Sequence, residues 1–326
     1  MKRVVIEMLA LTIIAGASLI PGRAQNAGTL PQQAPSSGAP GNPPGFRLHW
    51  YPAGQSPLGV AFDGANIWTA NFGDGTVSKL RASDGKKLGT FTAGGATGVT
   101  FDGANIWVSN SGGGTVSKVR ASDGKNLGTF SVGPTPWWMA FDGTNLWVTT
   151  ATSRGNGSVN KLRASEGKIL GTYAVGYAPI AVAFDGTNIW VVNGGHGAAG
   201  TVTKLRASDG KLLGTFNVQG APIGIAFDGA NMWIANSGYG SVSKLRASDG
   251  KNLGTFSVPG GTYGVAFDGA NIWVTGFQGV TKLRLSDGKI LHFYYTRTET
   301  TGVVFTGTNI WVTGWNNNAA GKFVKK

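Results

Sequence analysis

One phrase returns along most of this chain and limits what it can fold into. Phe-Asp-Gly begins at Phe62, Phe101, Phe141, Phe184, Phe227 and Phe267, with Phe305-Thr306-Gly307 as a seventh, variant copy. A tryptophan follows six positions after each Phe, at Trp68, Trp107, Trp147, Trp190, Trp233, Trp273 and Trp311. A second phrase, Lys-Leu-Arg-Ala-Ser-Asp-Gly, starts at Lys79 and returns with small changes at Lys118, Lys161, Lys204, Lys244 and Lys282. Successive copies lie 38 to 43 residues apart. A period of that size marks supersecondary units that bury their apolar surface only by stacking on one another.

Within one unit, four short apolar or β-branched runs are separated by turn residues: Gly59 to Phe62, Ile67 to Ala70, Val77 to Ala82 and Leu88 to Thr92. They read as strands A, B, C and D of an antiparallel meander. Asp63-Gly64 and Asp84-Gly85 supply the positive φ that tight hairpins need, and Asn71 with the following glycines opens the B to C turn. Ile67 beside Trp68 places bulky residues on both faces of the sheet. A lone four-stranded sheet cannot bury both faces, whereas seven sheets stacked around an axis can. The expected fold is an all-β, seven-bladed β-propeller over residues 46–326. The last unit stops in its third strand at Lys322-Phe323-Val324-Lys325-Lys326, and an orphan run, Leu48-His49-Trp50-Tyr51, precedes the first. That run matches Leu291-His292-Phe293-Tyr294 of the sixth unit, so the N-terminal strand is expected to complete the last blade and close the ring.

The pattern Gly-Val-Ala-Phe-Asp-Gly-Ala-Asn-Ile-Trp-Val, then Thr-Val-Ser-Lys-Leu, then Leu-Gly-Thr-Phe-Ser-Val resembles the bacterial YVTN and NHL-type propeller repeats over residues 46–326. The group includes streptogramin-lyase-like and gluconolactonase-like propellers. The resemblance implies a fold shared by binding modules, cell-surface proteins and a few lyases and lactonases.

The first residues read as an address. Met1-Lys2-Arg3 is a positive n-region, Val4 to Ile20 is largely apolar, and Gly22-Arg23-Ala24 sets cleavage after Ala24. Residues 1–24 are therefore expected to be a signal peptide and 25–45, rich in Pro, Gly, Ser and Gln, a linker. The mature chain then has no transmembrane helix and is exported to the periplasm or outside the cell. The sequence contains no cysteine, which removes disulfides, thiol catalysis and thiolate metal sites. The formal charge is +13, but the basic residues recur once per repeat, as Lys79, Arg81 and Lys86, against Asp63 and Asp84. So even a spread points to solubility of a monomer, not to nucleic-acid binding.

Meander geometry puts the A to B and C to D turns on one face of the disc, and the B to C and D to A loops on the other. Of fifteen acids, twelve belong to the two repeated phrases and Glu7 to the leader, leaving Asp74 and Glu299 on the variable face. Beside them stand Arg154, His196 and Arg297 and the aromatics Phe72, Trp137, Tyr177, Tyr239, Tyr263, Phe277 and Trp315. Trp138 takes a position held elsewhere by Gly59, Gly98, Ala181, Gly224, Gly264 and Gly302. With Trp137 it forms either a stacking platform for a sugar or apolar group, or a plug between irregularly stacked blades. A ring of amides, Asn71, Asn110, Asn193 and Asn236, follows the Trp of four blades by three residues. Resemblance to the lactonases makes them candidate ligands for a divalent metal, while the glycine after each favours an Asx turn. No serine-hydrolase elbow, zincin, phosphate-loop or EF-hand motif is present.

Three readings of function follow. The first is an exported binding module that holds a glycan, an envelope component or a protein on its variable face. The second is a metal-assisted lyase or lactonase using His196, Glu299 or Asp74 as acid or base. A third, in which the basic ring adheres to an anionic polymer, is separable by salt.

Overall fold

The computed structural model describes residues 45–152, 155–194 and 200–325. The expected leader, all of the expected linker except Gly45, and Arg154 and His196 lie outside them. Seven antiparallel four-stranded sheets follow one another, each ordered as a simple meander. Blade 1 is Pro57–Phe62, Asn66–Asn71, Thr76–Arg81 and Lys87–Thr92. The last sheet is Thr300–Phe305, Ile310–Gly314 and Ala319–Lys325, completed by the N-terminal strand Phe46–Pro52. Phe46 lies opposite Lys325 and Tyr51 opposite Ala320, so the ring closes as the matching runs predict. No helix among the described residues is long and apolar enough to cross a membrane.

The core lies between blades. All seven repeat tryptophans are fully buried, and Trp147 of blade 3 packs with Val182, Ile189 and Leu205 of blade 4. Truncating such a residue costs about 3–5 kcal/mol. Each indole is also held at its polar end. In blades 1 to 6 the Nε1–H donates to the Asp of Phe-Asp-Gly at 2.6–2.8 Å. Burial alone would raise the pKa of Asp63, but the Trp68, Asn66 and backbone hydrogen bonds outweigh it and hold the carboxyl below its ordinary range. Blade 7 has Thr306 instead, and the buried Trp311 Nε1–H has no acceptor.

The third-strand lysines differ most from the sequence expectation. They are not solvated surface charges: Lys79, Lys118, Lys161, Lys204, Lys244 and Lys322 are buried. Each Nζ donates to a carbonyl in the C to D turn of the following blade, at 2.6–2.9 Å. Each also stands over the repeat Trp of its own blade, Lys79 at 5.2 Å from the Trp68 ring. An ammonium on a four-carbon stem can span that distance, satisfy carbonyls and face a π cloud together. The same turns take an aromatic plug from the preceding blade: a Cβ added at Gly85 would strike the Tyr51 ring, and at Gly124 the Phe91 ring. The repeated face is thus a blade-to-blade latch.

Innermost strands meet almost backbone to backbone. A Cβ at Gly98 would lie 2.5 Å from the Trp137 carbonyl. Ser109 Oγ accepts from Gly98 N at 2.7 Å and donates to Trp137 O at 2.5 Å, bridging blades 2 and 3. Thr313 Oγ1 does the same across the closure, accepting from Gly302 N at 2.7 Å and donating to Leu58 O at 3.0 Å.

Candidate functional site

The variable face is built from loops hung on these fixed strands. In the D to A loops, Ser56, Thr135, Ala178 and Ala221 adopt positive φ just before Pro57, Pro136, Pro179 and Pro222. Their carbonyls accept the N–H of the residue that follows strand B, as Phe72 N does from Ser56 O at 3.2 Å. Most of the face is therefore anchored by backbone.

Several sequence candidates serve that anchoring. Asp74 Oδ2 accepts Gln55 N at 2.9 Å, while Oδ1 accepts the Thr76 amide at 3.1 Å and hydroxyl at 2.6 Å. It staples the B to C loop of blade 1 to the preceding loop. Asn71, Asn110 and Asn236 do not form the expected Asx turns, and the turn after Asn193 lies outside the described residues. In blades 1 and 2 the turn closes on main chain, Gly75 N to Asn71 O at 2.9 Å and Gly113 N to Asn110 O at 3.0 Å, and all four side chains lie buried across strand C. Asn71 Nδ2 donates to Thr76 and Ser78 at 2.9 Å each, and Asn110 to Thr115 at 3.1 Å and Ser117 at 2.9 Å. Asn193 Nδ2 donates to Thr201 at 3.0 Å and Thr203 at 2.9 Å, and Asn236 to Ser241 at 3.2 Å and Ser243 at 2.9 Å. The hydroxyls of strand C draw each amide inward. Blade 3 swaps the partners, with Thr150 on strand B and Asn160 on strand C. In blade 7 glycines stand at both places, and a Cβ at Gly314 or Gly321 would lie 2.8 Å from the Trp50 ring that fills the gap.

Trp137 is 6% exposed. Trp138 is half-buried and packs against the Trp147, Val182 and Val191 cluster between blades 3 and 4. Tyr177 ends the long outer strand Lys168–Tyr177, opposite Asn156. Tyr239 projects from a single 3₁₀ turn, Ser237–Tyr239, and is 68% exposed. Among the described residues no group of three or more His, Asp or Glu could hold a metal.

The structure brings together a second set, at the junction of blades 6, 7 and 1. Tyr263 and Phe277 pack with ring centroids 4.9 Å apart. Trp315 and Phe72 stack at 5.9 Å and 26°. Glu299 lies between the pairs: its carbonyl accepts Trp315 N at 2.9 Å, and its carboxylate faces the Tyr263 hydroxyl without closing a hydrogen bond of ordinary length. Burial, then a long hydrogen bond to Glu299 and the charge of that carboxylate, pushes the Tyr263 phenol well above its usual value. Blade 6 departs from the repeat here, since its inner strand is only Val265–Phe267, entered through Gly260 and Gly261 at positive φ. Arg297, exposed and at φ 58°, flanks the junction. Each of these residues stands out in the sequence as a departure from the repeat, but their contact across loops 36 residues apart, from Tyr263 to Glu299, does not.

The chain is a seven-bladed β-propeller, a fold that it shares with solved lyases. Streptogramin B lyase superposes with a TM-score of 0.72 at 17% identity, covering 86% of this chain and 98% of that one. A catalytically inactive virginiamycin B lyase from Staphylococcus aureus with quinupristin gives 0.72 at 17%, covering 86% and 99%. U3-55K gives 0.73 at 16%, covering 85% and 98%. At such identities the likeness is one of fold. No protein-family model and no curated protein sequence matches the chain.

Proposed function

We propose that this protein is an exported binding module whose variable loop face holds a glycan, an envelope component or a protein. One observation carries the reading: the two faces are made of different chemistry. On the repeated face the acids cap turns and the third-strand lysines latch blades, so their charges are internally employed. On the loop face, Tyr239 and Phe277, at 68% and 38% exposure, sit on loops whose backbone is tied down. Rigid loops bearing aromatic side chains suit recognition, because little entropy is lost on binding. An array of envelope glycans and polymers, probed with the purified protein, tests this. Binding should fall at least about tenfold, roughly 1.4 kcal/mol, when Tyr239, Phe277 and Trp315 are replaced by Ala, with melting little changed. Binding that survives those changes would refute the reading.

The alternative, a metal-assisted lyase or lactonase, draws on the fold shared with streptogramin B lyase. It requires His196, Glu299 or Asp74 as acid or base, and Asp74 is already occupied within its loop. Thermal shifts with Mg, Ca, Mn and Zn discriminate: chelator-reversible stabilisation favours the enzyme, and no shift removes it.

A further inference from the structure

Within that loop-face reading, we infer that the junction of blades 6, 7 and 1 takes an organic ammonium group, received by the Glu299 carboxylate among the rings of Tyr263, Phe277, Trp315 and Phe72. Every adjacent step in this arc is a contact described above, from the Tyr263–Phe277 pair through Glu299 to the Trp315–Phe72 stack.

Two independent observations point to a missing partner. The first is a group of buried hydroxyls that close no hydrogen bond of ordinary length, Tyr263 with only the Glu299 carboxylate facing it. Tyr263, 8% exposed, carries such an OH, and so do its neighbour Thr262 and Thr298, beside Glu299. These are three of the seven such side-chain atoms among the described residues, and they fall in the two loops that flank the carboxylate. Buried hydroxyls in native proteins are otherwise bonded, so their clustering marks a place where something else bonds them. The second is charge. Glu299 is half-buried and belongs to no ion pair among the described residues, while the acids of the C to D turns in blades 1 to 6 are each paired with an Arg. Arg297 lies two residues away yet forms no ion pair with it. A partly buried carboxylate without a cation is unfavourable, and the binding of one relieves it.

Water would satisfy the hydroxyls but leave the charge and the rings unexplained. A neutral sugar would use the rings but not the charge. An ammonium uses the charge and the rings together, through ion pairing and attraction to aromatic faces, and one that carries N–H also donates hydrogen bonds to the hydroxyl oxygens.

The test is a titration, followed by tryptophan fluorescence and calorimetry, of choline, n-butylammonium and the uncharged carbon isostere of choline, dimethylbutanol. At least one cation is expected to bind about tenfold or more tightly than the isostere. Glu299→Gln should cut that preference below about threefold, Tyr263→Phe should weaken binding, and neither should alter the melting curve by more than about 2 °C. Binding of choline alone assigns a quaternary headgroup, and of butylammonium alone a primary amine such as a lysine side chain. Equal binding of the isostere, no cation binding, or unchanged selectivity in a folded Glu299→Gln would overturn the inference. If amines fail while the loop-face alanine variants still lose polymer binding, this inference falls and the proposed function stands.

Discussion

Thr306→Asp should stabilise the ring, and the structure fixes how much and at which pH. Blade 7 already has the rest of the local arrangement. Gly307 has φ 84° where Gly64 has 96°, and Asn309 follows at the position of Asn66. Only the carboxylate is missing, and the buried Trp311 Nε1–H is left without an acceptor. An orphaned buried donor costs about 1–3 kcal/mol, and a hydrogen bond to a charged group returns about 1.5–3. Thr306 itself would lose its hydrogen bonds with Asn309, accepted and donated at 3.1 Å, worth about 1 kcal/mol. The net gain should be about 1–2 kcal/mol at neutral pH, or a rise of roughly 2–3 °C in melting temperature for a domain of this size. The sign with pH follows from the other blades, where Asp102, Asp142, Asp185 and Asp228 are held below the ordinary value. A depressed folded-state pKa gives stability that is present above the unfolded pKa, about 3.9, and lost as pH falls through the folded value. Urea and thermal unfolding of both proteins at pH 7 and pH 3 measure it. A gain equal at both pH values, or no gain at pH 7, would show that the indole–carboxylate bond is not what holds these turns.

Other expectations are shorter. Lys161→Met keeps the stem over Trp147 but leaves the carbonyls of Ala207 and Ser208, now accepting at 2.6 and 3.1 Å, without their donor, and should cost about 1–3 kcal/mol in urea unfolding. Tyr51→Ala removes the ring that packs on Trp311 at 5.5 Å and plugs the turn at Gly85, and should lower stability by about 2–4 kcal/mol and weaken closure of the ring. Wild-type stability should stay level from about pH 7 to 5 and fall below about pH 4 as the depressed aspartates protonate, which a series of melts will show.

Much of this architecture is legible in the sequence because turn chemistry repeats. Phe-Asp-Gly and Ser-Asp-Gly mark hairpins, and the Trp marks the buried strand B, so blade number, strand order and closure by Leu48 to Tyr51 follow without coordinates. What repetition hides is contact between units. Lys79 beside Arg81 and Asp84 reads as solvated charge, and only the stacking of blades shows its ammonium reaching Ala121 O at 2.6 Å. Asn71 before glycines reads as a turn former, yet Ser78, seven residues on, sits where it bonds the amide at 2.9 Å. The candidate site is legible as a set of exceptions to the repeat, and no periodicity relates Tyr263 to Glu299.

The most direct measurement of the central claim, that recognition belongs to the loop face, compares two sets of variants on one ligand from the envelope-polymer array. One set replaces Tyr239, Phe277 and Trp315 by Ala, and the other reverses the charge of the exposed turn lysines Lys86, Lys125 and Lys211 to Glu. Loss of binding of about tenfold or more in the first set only is predicted. Loss in the second set only, abolished equally by salt in the wild type, would contradict it and place recognition on the basic repeated face.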